Sequence, residues 1–249
     1  MADESYNWED YYQKIEGLAP HQLLLEVLEK LQSYTSLHAI DLGCGDGIES
    51  VVLLERGWNV LAIDAQPAAI KCLVGKVSDE NQVRLQTQVA KFEDVVFPSV
   101  DLIHAGLSIP FCHPEYFPTL WGRVVTAIKP GGRFAGQLFG VRDSWVVDQG
   151  MIFLTEDQVR ALFKNFDIET FHELDEDGQA TSGPKHWHMF TIIARKMQGC
   201  RHFLDNGGDK LQVTSCGKCA MIGIPFREVC YETTSPTHPR SFVYRYQFV

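Results

Sequence analysis

Three glycines within five residues, Gly43, Gly45 and Gly47, stand between a short apolar run at 37–42 and a helix-forming segment at 48–56. This constrains the chain more than any other feature. Glycine tolerates left-handed backbone and close approach by a ligand, so this spacing marks a tight strand-to-helix turn. The run 37–42 reads as a buried strand, and Gly57 fits the position just past the end of the following helix. Asp41 precedes the loop. A second acid, Asp64, ends the next apolar run, 58–63. An acid at the end of a second strand can accept hydrogen bonds from a ribose diol. Together these residues describe an open α/β sheet that holds a nucleoside at the carboxyl ends of its strands.

The rest of the chain repeats the alternation. Residues 20–31 read as a helix with Pro20 at its first position and Leu23, Leu24, Val27, Leu28 and Leu31 on one face. Pro67 opens a helix over roughly 67–77, and Val83 to Val89 alternates as a third strand. Val100 to Ala105 is a fourth. A helix marked by Leu120, Trp121, Val124, Val125 and Ile128 stops at Lys129-Pro130-Gly131-Gly132, before a fifth strand from Arg133 to Phe139. Thr155 and Gln158 form a capping box at the start of another helix. Two strands follow at 167–174 and 186–195, with an Asp-Glu-Asp-Gly loop opening their connection. Alternating strands and helices imply a mostly parallel sheet covered on both faces. The last two strands have no helix between them, so one antiparallel strand is expected.

Charge narrows the function. Lys and Arg total 22 against 32 Asp and Glu, a net charge of −10. A nucleic-acid binder needs a positive field, so nucleic acid is not expected as a partner. No apolar run approaches the roughly 18 residues of a membrane helix, and the acidic start lacks a secretory h-region. Reduced cysteines in a cytoplasmic protein are the expectation. The charge is uneven: residues 197–249 carry six basic and four acidic side chains, so they are +2 and residues 1–196 are −12. That segment also holds four of the seven cysteines.

Two ligand classes compete for the glycine loop. A dinucleotide fingerprint needs glycine at position 48, which is Ile48. A carboxylate at Asp41 suits a pyrophosphate poorly and a cationic ligand well. S-adenosylmethionine carries an ammonium and a sulfonium beside its adenosine. The segment from Ala39 to Asp64 resembles motif I and its following acid in the class I S-adenosylmethionine-dependent methyltransferases. Ala90-Lys91-Phe92-Glu93-Asp94, Asp101-Leu102-Ile103 and Ile128-Lys129-Pro130-Gly131-Gly132 resemble later motifs of that family in the same order. The resemblance implies a Rossmann-like, doubly wound, seven-stranded α/β sheet with one antiparallel strand near its C-terminal end. It implies a methyltransferase domain at 35–196, preceded by a helical and aromatic segment at 1–34 and followed by an extension at 197–249.

The resemblance also implies roles. Asp41, Gly43 and Gly45 lie along the methionine part of the cofactor. Asp64, with Ala65 beside it, holds the ribose. Phe92 meets the adenine. Ala105 and Gly106 pass under the sulfonium side. Lys91 departs from the family's usual acid, and Glu93 or a backbone carbonyl is its expected substitute. The tail of the domain, Phe171 to Gly178, Lys185 to Phe190 and Ala194 to Lys196, is similar to small bacterial tellurite-resistance and thiopurine-type methyltransferases, which implies a small-molecule acceptor.

Methyl transfer from a sulfonium needs alignment more than acid–base machinery. The candidates on the acceptor side are His186 and His188, two apart on one strand face, and Arg142 after the fifth strand. Each has a structural alternative: sheet-surface histidines and a solvated loop charge. The histidine pair lacks an evident third metal ligand, so no metal is assigned. Phe111 and His113 are expected near the acceptor opening. Tyr6, Trp8, Tyr11 and Tyr12 read either as a lid or as a plain N-terminal helix. In the extension, Cys216 and Cys219 form a C-x-x-C pair that Cys200, Cys230, His202 or His238 could complete as a zinc site. Its alternative is a small strand-rich appendage or a partly disordered tail. Two other functions stay open, a cofactor-binding module without catalysis and a dinucleotide oxidoreductase. The oligomeric state is not legible.

Overall fold

The structure, a computed structural model, describes residues 19–31, 37–180 and 183–198. The chain divides into two units, Met1–Gly199 and Cys200–Val249, and every described residue belongs to the first. The aromatic cluster at Tyr6, Trp8, Tyr11 and Tyr12, the cysteine pair Cys216 and Cys219 with its companion ligands, and nearly all of 197–249 lie outside the described residues.

Eight strands form one sheet: β1 (His38–Leu42), β2 (Asn59–Asp64), β3 (Leu85–Val89), β4 (Val100–Ala105), β5 (Ile128–Gly140), β6 (Phe153–Leu154), β7 (Phe166–Ala180) and β8 (Gly183–Lys196). Their order is β3-β2-β1-β4-β5-β8-β7, with the two-residue β6 pairing β5 off this path. Strands β1 to β5 are mutually parallel, and β8 is antiparallel to both β5 and β7. The expected single antiparallel strand is present. The main path has the expected seven strands, and β6 is an addition too short to show in a sequence pattern.

Each face of the sheet has its own core. The helices α1 (Gln22–Glu29), α2 (Ile48–Glu55) and α3 (Pro67–Lys76) cover one face. Leu24, Val27, Leu53, Leu54 and Leu73 from them pack on Ala39, Leu102, Ala135 and Ile193 of the sheet. The fully buried leucines contribute roughly 1.5–3 kcal/mol each. A four-residue helix, α4 (Asp79–Gln82), precedes β3. The helices α5 (Phe117–Ala127) and α6 (Glu156–Leu162) cover the other face. There Trp121, Phe134, Phe163 and Phe190 form an aromatic core with Ile40, Ile103 and Ile192.

Four local expectations change. Pro20 lies outside α1: His21 is the N-cap, and its ring nitrogen accepts the Leu23 amide at 3.1 Å. Val83 ends α4, so β3 begins two residues later, at Leu85. Ile128 opens β5 and does not end α5, so the Lys129–Gly132 turn lies inside the strand span. Asp175–Gly178 is strand, not loop. Register pairs Asp175 with His188 and Asp177 with His186, so the acids answer basic partners across the hairpin. The capping box at Thr155 and Gln158 forms as expected.

Candidate functional site

The carboxyl ends of β1, β2 and β4 bring the glycine loop and both acids together. Gly43, Gly45 and Gly47 all have positive φ, at 73°, 53° and 86°. Gly43 and Gly47 serve packing. A Cβ at Gly43 would lie 2.3 Å from the Cβ of Ser108, and one at Gly47 would lie 2.5 Å from Leu73. Ser108 then donates its hydroxyl to the Leu42 carbonyl, joining the loop after β4 to the end of β1. The Gly43 amide donates to the Ile63 carbonyl at 2.8 Å, joining the loop to β2.

Asp64 clasps the loop from the other side. One of its oxygens accepts the Gly45 amide at 3.0 Å, and the other accepts the Gln66 amide at 2.8 Å. Carboxylate oxygens can each accept more than one hydrogen bond, so these contacts are compatible with a diol on the same group. Ala65, beside it, is exposed. After β3, the Ala90 amide donates to the Asp64 carbonyl at 3.0 Å, which fixes the start of the Lys91–Asp94 turn. Phe92 and Glu93 are half-buried there, Phe92 against the aromatic face of the core. Arg123 donates to the Glu93 carbonyl at 2.8 Å. Past β4, Ala105 is buried, Gly106 is half-buried, and Leu107 has φ of 51°. Leu107 is the one non-glycine with positive φ among the described residues. Strain of this kind collects at ligand sites.

Asp41 is anchored inward. Ser50 on α2 donates to one carboxylate oxygen at 2.7 Å, and His104 Nδ1 lies 3.1 Å from the other. The register makes this pairing, because Asp41 and His104 are partners across β1 and β4. Asp41 and His104 are each 2% exposed. Burial opposes a charge on His104, but the Asp41 hydrogen bond and charge, with the charge of Glu49, outweigh it and raise its pKa. Burial raises the pKa of Glu49, with help from the Asp41 charge. Burial lowers that of His21, with help from the His104 charge. The Cys44 thiol is pushed well up, first by burial and then by Asp41 and Asp64, so it stays protonated and inert.

The acceptor-side candidates fall elsewhere. Alternation along β5 and β8 turns Gln137 and Thr191 toward α1 and α2, and turns His188 to the opposite face, with Phe190. His188 Nδ1 accepts the Arg142 amide at 2.9 Å, and its Nε2 faces Glu173 at 2.9 Å. Arg142 donates to Asp175 at 2.7 Å and to Glu173 at 2.6 Å. His186 lies between Asp177 at 2.7 Å and Asp175 at 2.9 Å, and these carboxylates raise its pKa. His186 and His188 share a strand face as expected. Each partner here is supplied by the hairpin or by the turn after β5.

One metal-ligand grouping appears among the described residues: Glu173, Asp175 and His188 have ligand atoms within 4.8 Å of one another. The Arg142 guanidinium already bridges its two carboxylates. The turn after β5 is pinned once more by Lys185, which donates to Asp143. The Lys185 ammonium lies 4.2 Å from the Trp145 ring centre and 4.4 Å from that of Trp187. Phe111 packs edge-on against Phe139 and Trp145 in the same aromatic cluster, while His113 lies against Tyr116.

His104, Gln137 and His21 were absent from the sequence reading. A signal existed for the first two. His104 and Gln137 are polar residues inside strands that are otherwise apolar, and a buried polar side chain is informative. Nothing in the sequence announced that His21 closes over them.

The strand order, the glycine loop and the acid ending β2 define the class I methyltransferase fold. Residues 39–132 match the family model described as a methyltransferase domain, and S-adenosylmethionine is the methyl donor of that class. A Synechocystis protein described as an uncharacterized methyltransferase is 30% identical over 115 residues, 46% of this chain and 51% of that protein. Hemagglutinin 1 of Eikenella corrodens is 23% identical over 194 residues, 75% of this chain and 63% of that one. The chain thus spans between about half and two thirds of the length of these curated relatives. Among solved structures, TehB of Haemophilus influenzae superposes with a TM-score of 0.61 at 18% identity, covering 76% of this chain and 67% of TehB. The 1,6-didemethyltoxoflavin-N1-methyltransferase of Burkholderia thailandensis gives 0.56 at 17%, covering 77% of this chain and 84% of that enzyme. The methyltransferase resemblance read from the sequence is borne out over residues 39–132, and the expected sheet is borne out as the fold. Among the described residues no helix is long and apolar enough to cross a membrane.

Proposed function

We propose that the chain is an S-adenosylmethionine-dependent methyltransferase that moves the methyl group directly, in line, to a small-molecule acceptor. The observation that carries this reading is the clasp between Asp64 and Gly45 at the carboxyl edge of the sheet. It holds a carboxylate against a glycine-rich turn, which is what an adenosine ligand with a cationic tail requires. The donor set fits that group. Asp64 and Ala65 take the ribose, Gly43 and Gly45 line the methionine part with Asp41 behind them, Phe92 and Glu93 take the adenine, and Ala105 and Gly106 face the sulfonium. The methyl donor supplies an activated leaving group. The protein supplies alignment and a site closed to water.

The small-molecule class is supported by the net charge of −10 and by the acceptor named for the Burkholderia neighbour. Nucleic acid is disfavoured on the same charge. We assign the catalytic domain to 35–196, with 1–34 and 197–249 as additions, and place the protein in the cytoplasm, where the free thiols of Cys44, Cys72 and Cys112 suit a reducing setting.

The test is calorimetry with S-adenosylhomocysteine. Asp64→Ala is expected to weaken binding more than about tenfold, or 1.4 kcal/mol. Unchanged affinity would refute the site. Transfer of labelled methyl groups into a metabolite extract separates an enzyme from a cofactor-binding module.

A further inference from the structure

Beneath the N-terminus of α1 lies a buried polar cluster that shares Asp41 with the cofactor assignment and is otherwise outside it. Asp41 of β1, His104 of β4, Gln137 of β5 and Thr191 of β8 share one sheet face. His21, the N-cap of α1, closes over them, and its backbone amide donates to Glu49 of α2 at 3.1 Å. Two atoms of this cluster are buried with no hydrogen-bond partner among the described residues, His104 Nε2 and Gln137 Oε1. Leaving a buried polar atom unmatched costs about 1–3 kcal/mol, so such atoms mark a place where a partner belongs.

The direction of the His104 ring gives the orphan nitrogen a meaning. Nδ1 faces Asp41, so the carboxylate fixes the proton there and leaves the lone pair of the neutral ring on Nε2. That edge of the ring meets Gly106. A Cβ at Gly106 would lie 3.1 Å from His104 Cε1 and 3.6 Å from Nε2. Gly106, the residue proposed to face the sulfonium, therefore puts no side chain against this edge of the ring. The Gln137 amide turns one end to His21 and Thr191, at 3.4 and 3.3 Å, and its other end has no partner.

We propose that His104, oriented by Asp41, is the general base of the methyl transfer, and that the acceptor is a protic N–H or O–H nucleophile which Gln137 helps to hold. The proposal rests on the methyltransferase reading above. The acceptor's lone pair forms the new bond to the methyl carbon. The methyl–sulfur bond breaks and its electron pair stays on sulfur. The acceptor's proton moves to His104 Nε2, and Asp41 stabilises the imidazolium until the proton leaves to solvent. An acceptor that is already anionic or that carries no proton would not need this group.

Expected pH behaviour follows from the same neighbours. The base is active when neutral, so turnover falls as pH drops through the pKa of His104, which lies above the usual 6.5 or so. The titratable groups facing it are Asp41 from β1, Glu49 from α2 and His21 from α1.

The test uses the full chain, S-adenosylhomocysteine and labelled S-adenosylmethionine with a metabolite extract. His104→Asn is expected to bind S-adenosylhomocysteine within about threefold of the parent while methyl transfer falls by at least about a hundredfold. Its acid limb should vanish, and added imidazole should restore transfer to His104→Gly. In the parent protein, nitrogen NMR should show the neutral ring protonated on Nδ1, with an Nε2 signal that moves when S-adenosylhomocysteine binds. Equal transfer by His104→Asn overturns the proposal. So does a weakened S-adenosylhomocysteine affinity with the acid limb intact, which would make His104 a positioning residue for Asp41. Should the variants fail to fold, an Nε2 signal indifferent to the ligand overturns it alone. A parent protein that binds S-adenosylhomocysteine and transfers no methyl group removes the enzyme reading itself, and this proposal with it.

Discussion

Two histidine–carboxylate pairs stand near the carboxyl edge of one sheet, on opposite faces, and they are built differently. His188 has both ring nitrogens answered, by the Arg142 amide and by Glu173, and it is held within a network that includes Asp143 and Lys185. His104 has one nitrogen answered, by Asp41, and the other without a partner among the described residues. Both rings are almost fully buried, so burial does not separate them. Completeness does. A buried network with every donor and acceptor matched makes a rigid structural unit. A buried pair with one atom unmatched keeps capacity for one more hydrogen bond. The hairpin network is satisfied within itself, and the Asp41–His104 pair, with one atom unmatched, is the one proposed to take part in the chemistry.

Three changes to the hairpin side would break this contrast if they altered ligand binding. The largest expected effect is from Asp143→Ala. It leaves the Lys185 ammonium, 4% exposed, without its carboxylate, and stripping one partner from a buried ion pair costs about 3–5 kcal/mol. Denaturant unfolding measures the loss, while S-adenosylhomocysteine affinity measured below the transition should stay within about twofold. Gly140→Ala comes next. Its Cβ would lie 2.0 Å from His188 Nδ1, a collision that costs about 1–3 kcal/mol and should lower the thermal midpoint. The same substitution at Gly57, where nothing lies within 4 Å, meets only its backbone strain.

The smallest effect is the pH response of the exposed hairpin end. His186 has a raised pKa, caused by Asp177 and then Asp175. Its contribution is fully present below about pH 6.5, the unfolded value, and is lost as pH rises through the folded one. Glu173, through His188 and then Arg142, and Asp175, through His186 and then Arg142, have lowered pKa values. Their contributions are present above about pH 4, the unfolded carboxylate range, and fade as pH falls through the folded values. Amide protection factors over 175–180, with the intrinsic pH dependence of exchange divided out, should therefore be highest between about pH 4 and 6.5. His186→Gln should remove the alkaline step and leave the acid one. Protection factors that are flat across neutral pH would show that these exposed pairs contribute nothing there.

The cofactor half was the readable half. Asp41, the glycine loop and Asp64 are close in sequence, and a strand–turn–helix unit is set by local backbone preference and apolar period. The capping box at Thr155 is likewise a matter of neighbours. The acceptor half was readable only as a set of residue types. Nothing local distinguishes Arg142, which is engaged by two carboxylates, from an arginine open to an anion. The polar run Asp175–Gly178 looked like loop because its pairing partners lie up to a dozen or so positions onward, across the hairpin. His104 was passed over although it interrupts an apolar strand, because the acid it meets is 63 positions away.

The sequence by itself determined the class of fold, the glycine turn proposed to receive the cofactor, and the two acids beside it. Each of these depends on spacing within one strand–loop–helix unit, where chain connectivity already sets geometry. Tertiary structure alone decided which histidine is satisfied and which is not. That depends on strand order and register, which bring β4 beside β1 and turn Asp41 and His104 to the same face. Alternation then sends His188 to the other face, where the turn after β5 and the hairpin satisfy it completely. The opposite fates of these two buried imidazoles follow from which neighbours the sheet gives them, because a hydrogen bond is made or left unmade by position in space.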